Sequence, residues 1–160
     1  MRQSINSKRI AIVAVVIFLL FWLIGWYWSL SPDTFDVRKR LEQNSPVENP
    51  TSIAGYTLTT TMIDVSETLL DKPGGYLSND VLPPGIFLDN MPAWEFGALE
   101  MVRDLALSMR KDFSRSQSQS IENPYLTKAH PKFNMDHKSW ALPSSESSYA
   151  EGIELLKKYR

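Results

Sequence analysis

Residues Ile10 to Leu30 read IAIVAVVIFLLFWLIGWYWSL, twenty-one residues with no charge, no proline and a single glycine, Gly25. Coiled as an α-helix, the run rises about 32 Å at ~1.5 Å per residue, enough to cross a hydrocarbon core about 30 Å thick. Twelve of its first fifteen residues are Ile, Val, Leu or Phe. Each such side chain favours insertion at mid-bilayer by about 0.3–0.6 kcal/mol. Trp22, Trp26, Tyr27 and Trp28 gather at the C-terminal end, where amphipathic rings suit the headgroup region. A helix buried in a soluble core is the competing reading, but such helices are seldom so long and so free of polar groups. A cleaved signal peptide fits less well, because its apolar region is about 7–15 residues and ends at a small-x-small site. Trp-Tyr-Trp-Ser-Leu-Ser-Pro offers none. The stretch is expected to be an uncleaved membrane span.

Charge sets the expected orientation. The tail Met1–Arg9 carries Arg2, Lys8 and Arg9 and no acid, a charge of +3. Residues 31–160 hold fourteen Lys plus Arg against eighteen Asp plus Glu, a net −4. Arg38, Lys39 and Arg40 on the far side match the tail in number, but the α-amine adds to the tail and the aromatic belt lies distal. The expected arrangement keeps the N-terminus cytoplasmic and carries the remainder across the membrane. There is no cysteine, so thiol chemistry, disulfides and Cys-based metal sites are excluded. The acidic balance of the exported part argues against nucleic acid as a partner.

Beyond the span, Ser31-Pro32-Asp33 stops the helix, and Asp33 suits the N-cap of a short amphipathic helix over Thr34–Asn44. Its basic residues are placed to face either solvent or lipid phosphates. Ser45–Pro50 reads as a linker. Leu58, Met62, Val65 and Leu69 recur at helical spacing over Thr57–Leu70, although three consecutive threonines pull towards strand. Lys72-Pro73-Gly74-Gly75 ends that helix. Leu77–Met91 is irregular and strongly apolar, so it must pack on the domain core or on a partner. Pro92–Phe113 is the longest soluble helix, with Pro92 at its first position and Trp94, Ala98, Met101, Val102, Leu105 and Met109 as its apolar stripe. Ser114–Ser120 is a low-complexity linker, and Ile121–Pro143 shows no clean period. Ser144 or Ser145 caps a last helix with Tyr149, Ile153 and Leu156 on one side.

Candidate chemistry is sparse. Asp80 and Asp89 lie in the apolar loop, where burial raises a carboxyl pKa, and Glu95 follows in the next helix. Two such acids are the minimum for glycoside hydrolysis. Glu100 and Asp104 share a face with Arg103 and read as solvated. His130 and His137 lie in a proline-rich stretch at no metal-ligand spacing, so neither a metal nor another cofactor is expected. Pro73-Gly74-Gly75 lacks the Gly-Lys-Ser/Thr of a phosphate loop, and no serine stands in a Gly-x-Ser-x-Gly context. What stands out instead is apolar surface: Ile86, Phe87, Trp94 and Phe96 are the candidate partner-binding residues.

The runs LLDKPGGYLSNDVLPPG (Leu69–Gly85), DNMPAWEFG (Asp89–Gly97), RDLALSMRKDFSRSQSQS (Arg103–Ser120) and SWALPSSES (Ser139–Ser147) carry a resemblance. From about Gly55 onward the chain resembles a family of proteobacterial inner-membrane proteins known only as a domain of unknown function. The resemblance implies a single N-terminal anchor, a mostly helical envelope domain and a natural chain that continues past Arg160. It supplies no catalytic residue and no ligand. The expected fold is all-α, with one transmembrane helix followed by a small helical domain with long irregular loops. Residues 1–9 form a cytoplasmic tail, 10–30 the span, 31–54 a juxtamembrane helix and linker, and 55–160 the helical domain. The expected role is that of an anchored interaction or scaffold protein touching the lipid bilayer and either an envelope protein or a second copy. A cell-wall hydrolase or lipid-modifying enzyme using Asp80, Asp89 or Glu95 is the alternative.

Overall fold

The computed structural model describes residues 2–45, 49–113 and 122–160, and among them there is no strand. The expected all-α class holds. Helix α1 (Arg2–Trp28) winds the basic tail and the apolar run into one rod. Residues 2–9 contain neither Pro nor Gly, so the helix extends well before Ile10. It closes just short of Leu30, where the Ser29 amide donates to the Gly25 carbonyl at 3.0 Å and the Leu30 amide to Tyr27 at 3.3 Å. Only 6% of its most apolar window is buried, the opposite of a soluble core helix. This one N-terminal helix is long and apolar enough to span a membrane.

Helix α2 (Val37–Asn44) starts later than the sequence suggests. Asp36, not Asp33, is its N-cap: its Oδ1 accepts from the Arg38 amide at 2.9 Å and from Lys39 at 3.1 Å. Leu41 is buried, and Arg40 lies 4.4 Å over the Phe35 ring. A short 3₁₀ turn at Pro50–Ser52 leads to α3 (Tyr56–Asp71). The threonines are helical all the same, and Thr59 and Thr61 satisfy their hydroxyls within the helix by donating to the carbonyls of Gly55 and Thr57, four residues back. The buried face of α3 includes Tyr56, Thr59, Met62, Ile63, Ser66 and Leu69.

Helix α4 (Asn90–Ser108) begins at Asn90, so Pro92 lies within its first turn rather than opening it, and the rod continues as a π turn over Met109–Phe113. Its buried stripe is Met91, Glu95, Leu99, Val102 and Ala106, rotated by one position from the apolar pattern, and Met101 is 74% exposed. The linker Ser114–Ser120 lies outside the described residues, as do residues 46–48 of the Ser45–Pro50 linker.

The stretch Ile121–Pro143, expected to be irregular, contains helix α5 (Pro124–Phe133), capped by Asn123 and holding Pro131 in its interior. His130 is therefore helical and half-buried, not a loop histidine. Burial and the charges of Arg110 and Lys111 lower its pKa. Residues 134–143 are tied down by side chains reaching their carbonyls. Tyr149 donates to Met135, Tyr76 to His137 and Asn79 to Ser139, while Arg103 closes the end of α5 on Phe133 and Met135. Helix α6 (Ser145–Tyr159) starts where expected, with Ser144 accepting from the Ser147 amide. Together α3 to α6 enclose a core built on Met62, Leu69, Leu99, Phe133, Tyr149 and Leu156.

Candidate functional site

The turn after α3 decides what Glu95 can do. Gly74 and Gly75 both hold positive φ, at 86° and 71°, and curl the chain so that the amides of Leu77 and Ser78 face α4. Glu95 Oε1 accepts from the Leu77 amide at 2.8 Å and pairs with Lys72 Nζ. Its Oε2 accepts from the Ser78 amide at 2.7 Å and from the Ser78 hydroxyl. The side chains of Lys72 and Glu95 are 0% exposed. A carboxylate with four donors and no route to solvent is a fastener between the turn and α4. It rotates the buried stripe of that helix, because a residue so held must face inward. Lys72, its ion-pair partner, is a position the sequence marks only as the end of a helix.

Asp80 and Asp89 part company. Asp89 stands exposed at the start of α4, and its side chain caps nothing. Asp80 lines a cavity of about 320 Å³ with Asn79, Ser144, Glu146, Val81, Leu82 and Trp140. Its carboxyl packs so closely on Gly85 that a Cβ there would fall 2.0 Å from Oδ2. Burial raises the Asp80 pKa, the carboxylates of Glu146 and Glu95 raise it further, and Lys72 lowers it. Asn79 Nδ2 donates to Glu146 Oε2 at 2.8 Å and to the Ser139 carbonyl at 2.8 Å. The acid beside Asp80 is thus Glu146, sixty-six positions away in the numbering and carrying no sequence signal that pairs the two.

The four apolar candidates do not form one patch. Ile86 and Phe87, 55% and 79% exposed, lie on the loop after α3 beside α1. Trp94 is half-buried and faces Phe35, Val65 and Thr68 in a separate groove. Phe96 projects from another side of α4, with its ring 4.8 Å from that of His137. The loop over 83–88 packs against the membrane-length helix: Pro84 and Leu88 cover Gly25, the only buried residue among those whose burial is described in α1. At the end of that helix, Asn90 donates to the Ser29 carbonyl at 3.0 Å and to its hydroxyl at 2.8 Å. The Trp28 ring lies over Gly74.

A bacterial family described as an uncharacterized protein conserved in bacteria, DUF2333, matches residues 2–160. The chain belongs to this family. The match takes in the apolar helix together with the domain, so the DUF2333 unit comprises both. No curated protein and no solved structure matches this DUF2333 chain. Among its described residues no three of His, Asp and Glu come together as a metal site requires.

Proposed function

We propose that this DUF2333 chain is a single-span protein of the bacterial inner membrane, cytoplasmic at its N-terminus, whose periplasmic helical domain acts as a non-catalytic interaction or scaffold module. The observation that carries the reading is the contrast between the acids and the apolar loop. Glu95 is consumed by the turn it fastens, and Asp89 stands apart from Asp80. Ile86 and Phe87 meanwhile remain open beside the anchor. Val81 and Leu82 are exposed on the same loop, and an apolar patch, unlike a single exposed residue, marks contact surface. The domain is held to the end of α1 by Asn90 and Trp28, so it offers its surfaces close to the bilayer, to an envelope protein or a second copy. A photo-reactive amino acid in place of Ile86, which is 55% exposed, is expected to give discrete protein adducts in living cells. Absence of any adduct at native expression level would sink the partner reading.

One observation favours a second reading, an envelope hydrolase or lipid-modifying enzyme. Asp80 and Glu146 share a cavity whose rim is Val81, Leu82 and Trp140, and two acids in one cavity are what acid–base hydrolysis of a glycosidic bond uses. The Asp80→Asn and Glu146→Gln variants decide it. Full complementation of a deletion strain by both removes this reading.

A further inference from the structure

Resting on the reading of α1 as a membrane span, we infer that the loop after α3 enters the same bilayer and that lipid acyl chains occupy the groove between this loop and α1. The groove measures about 520 Å³ and is lined by Phe18, Phe21, Trp22 and Trp26 on one side and Pro84 and Phe87 on the other. Phe18 precedes Trp28 by ten positions, about 15 Å along the helix at ~1.5 Å per residue. That is about half of a ~30 Å hydrocarbon core. The loop packs on α1 at Gly25, and Phe87 shares the groove with Phe18 and Trp22, so the groove reaches the depth of acyl chains and the bilayer that surrounds α1 is continuous with it.

Two features of the loop fit that depth. Residues 81–88, VLPPGIFL, contain no charge, and Val81, Leu82, Ile86 and Phe87 are all exposed. Non-helical backbone in hydrocarbon requires its polar groups to be satisfied within the protein. Pro83 and Pro84 have no N–H. The amides of Ile86, Phe87 and Leu88 donate to the carbonyls of Leu82, Pro84 and Gly85 at 3.2, 3.0 and 2.9 Å. The neighbouring loop adds Trp140 and Leu142, 67% and 99% exposed, and Trp140 shares a cavity rim with Leu82. The polar clasp of Asn90 on Ser29 closes the groove where α1 ends, at the level where Trp28 and Tyr27 meet the headgroups.

The absence of native cysteine allows a direct test. Single cysteines replacing Phe18, Phe87 or Met101 in the full chain are labelled with an environment-sensitive fluorophore. Each protein is placed in phosphatidylethanolamine–phosphatidylglycerol vesicles containing nitroxide-labelled acyl chains. Phe87 and Met101 are both exposed, so neither substitution disturbs the core. The expected result is strong nitroxide quenching at positions 18 and 87 and several-fold weaker quenching at 101. Quenching at 18 with position 87 behaving like 101 overturns the inference and leaves the anchor standing. A blue-shifted but unquenched label at 87 also overturns it and assigns the groove to protein, a second copy included. Equal, weak quenching at all three positions overturns the inference and the membrane-span reading together.

Discussion

Glu95 and Asp80 show how two carboxyls in one apolar neighbourhood take different roles. Glu95 meets four donors, and removing it leaves Lys72 as an uncompensated buried cation beside two unpaired amides. The Glu95→Ala variant is expected to lose about 3–5 kcal/mol, read as a lower midpoint in denaturant. A loss below about 1 kcal/mol would show that the pair is not the fastener described. Asp80 has few attractive partners, and burial with Glu146 and Glu95 raises its pKa. The folded state thus holds the Asp80 proton more tightly than the unfolded chain does. The stability this supplies is fully present below the ordinary carboxylate value of 3.8 and is lost as pH rises through the raised one. The Asp80→Asn variant, locked in the neutral form, is expected to melt above the parent at about pH 8, and the two melting temperatures are expected to converge as the solution is acidified. Parallel melting curves at every pH would refute this account.

At the scale of elements, helical periods located α3, α4 and α6, because each carries apolar residues at spacings that only a helix collects on one side. The phase of α4 was illegible for a physical reason. Counting apolar residues places Met101 inward, whereas the bonds to Glu95 turn the helix so that a charged residue is buried and Met101 faces out. Helix α5 was hidden by Pro131, which reads as a breaker but stands near the helix end, where it costs one hydrogen bond to the Thr127 carbonyl. The pairing of Asp80 with Glu146 was likewise invisible, since it depends on how α6 lies across the loop after α3. Pro131 is exposed, so Pro131→Ala is expected to stabilise the protein by about 1–3 kcal/mol, measurable as a higher melting temperature. The junction of α1 with the domain is testable in the same terms. A side chain at Gly74 would face a φ of 86° and place its Cβ 2.7 Å from Trp28 Cγ, and backbone strain of this kind costs about 1–3 kcal/mol. With cysteines in place of Ser29 and Asp89, a short bismaleimide is expected to link the two readily in the parent and about tenfold more slowly in Gly74→Ala. An unchanged rate would mean that Trp28 does not hold the domain.

For the whole molecule, the proposed topology follows from charge distributed about one apolar rod. The tail carries +3, and moving such a segment across a bilayer is opposed both by desolvation and by the membrane potential, worth about 2.3 kcal/mol per charge per 100 mV. The domain beyond residue 30 carries −4, and acidic segments translocate with little resistance. Arg38, Lys39 and Arg40 pull the other way from the far flank, and the proposed topology, tail retained and domain exported, rests on the α-amine and the membrane potential tipping that balance. A chain without native cysteine again reports its own arrangement. In cells with a permeabilised outer membrane, an impermeant thiol reagent is expected to modify Ser147→Cys, which is exposed on α6, and to leave Ser7→Cys unmodified until the inner membrane is broken. Modification of Ser7→Cys alone would reverse the orientation while keeping the span. Modification of both before lysis, together with release of the protein from vesicles by alkaline carbonate, would mean that α1 does not cross the bilayer, and the apolar groove beside Phe87 would then have to be explained by a protein partner.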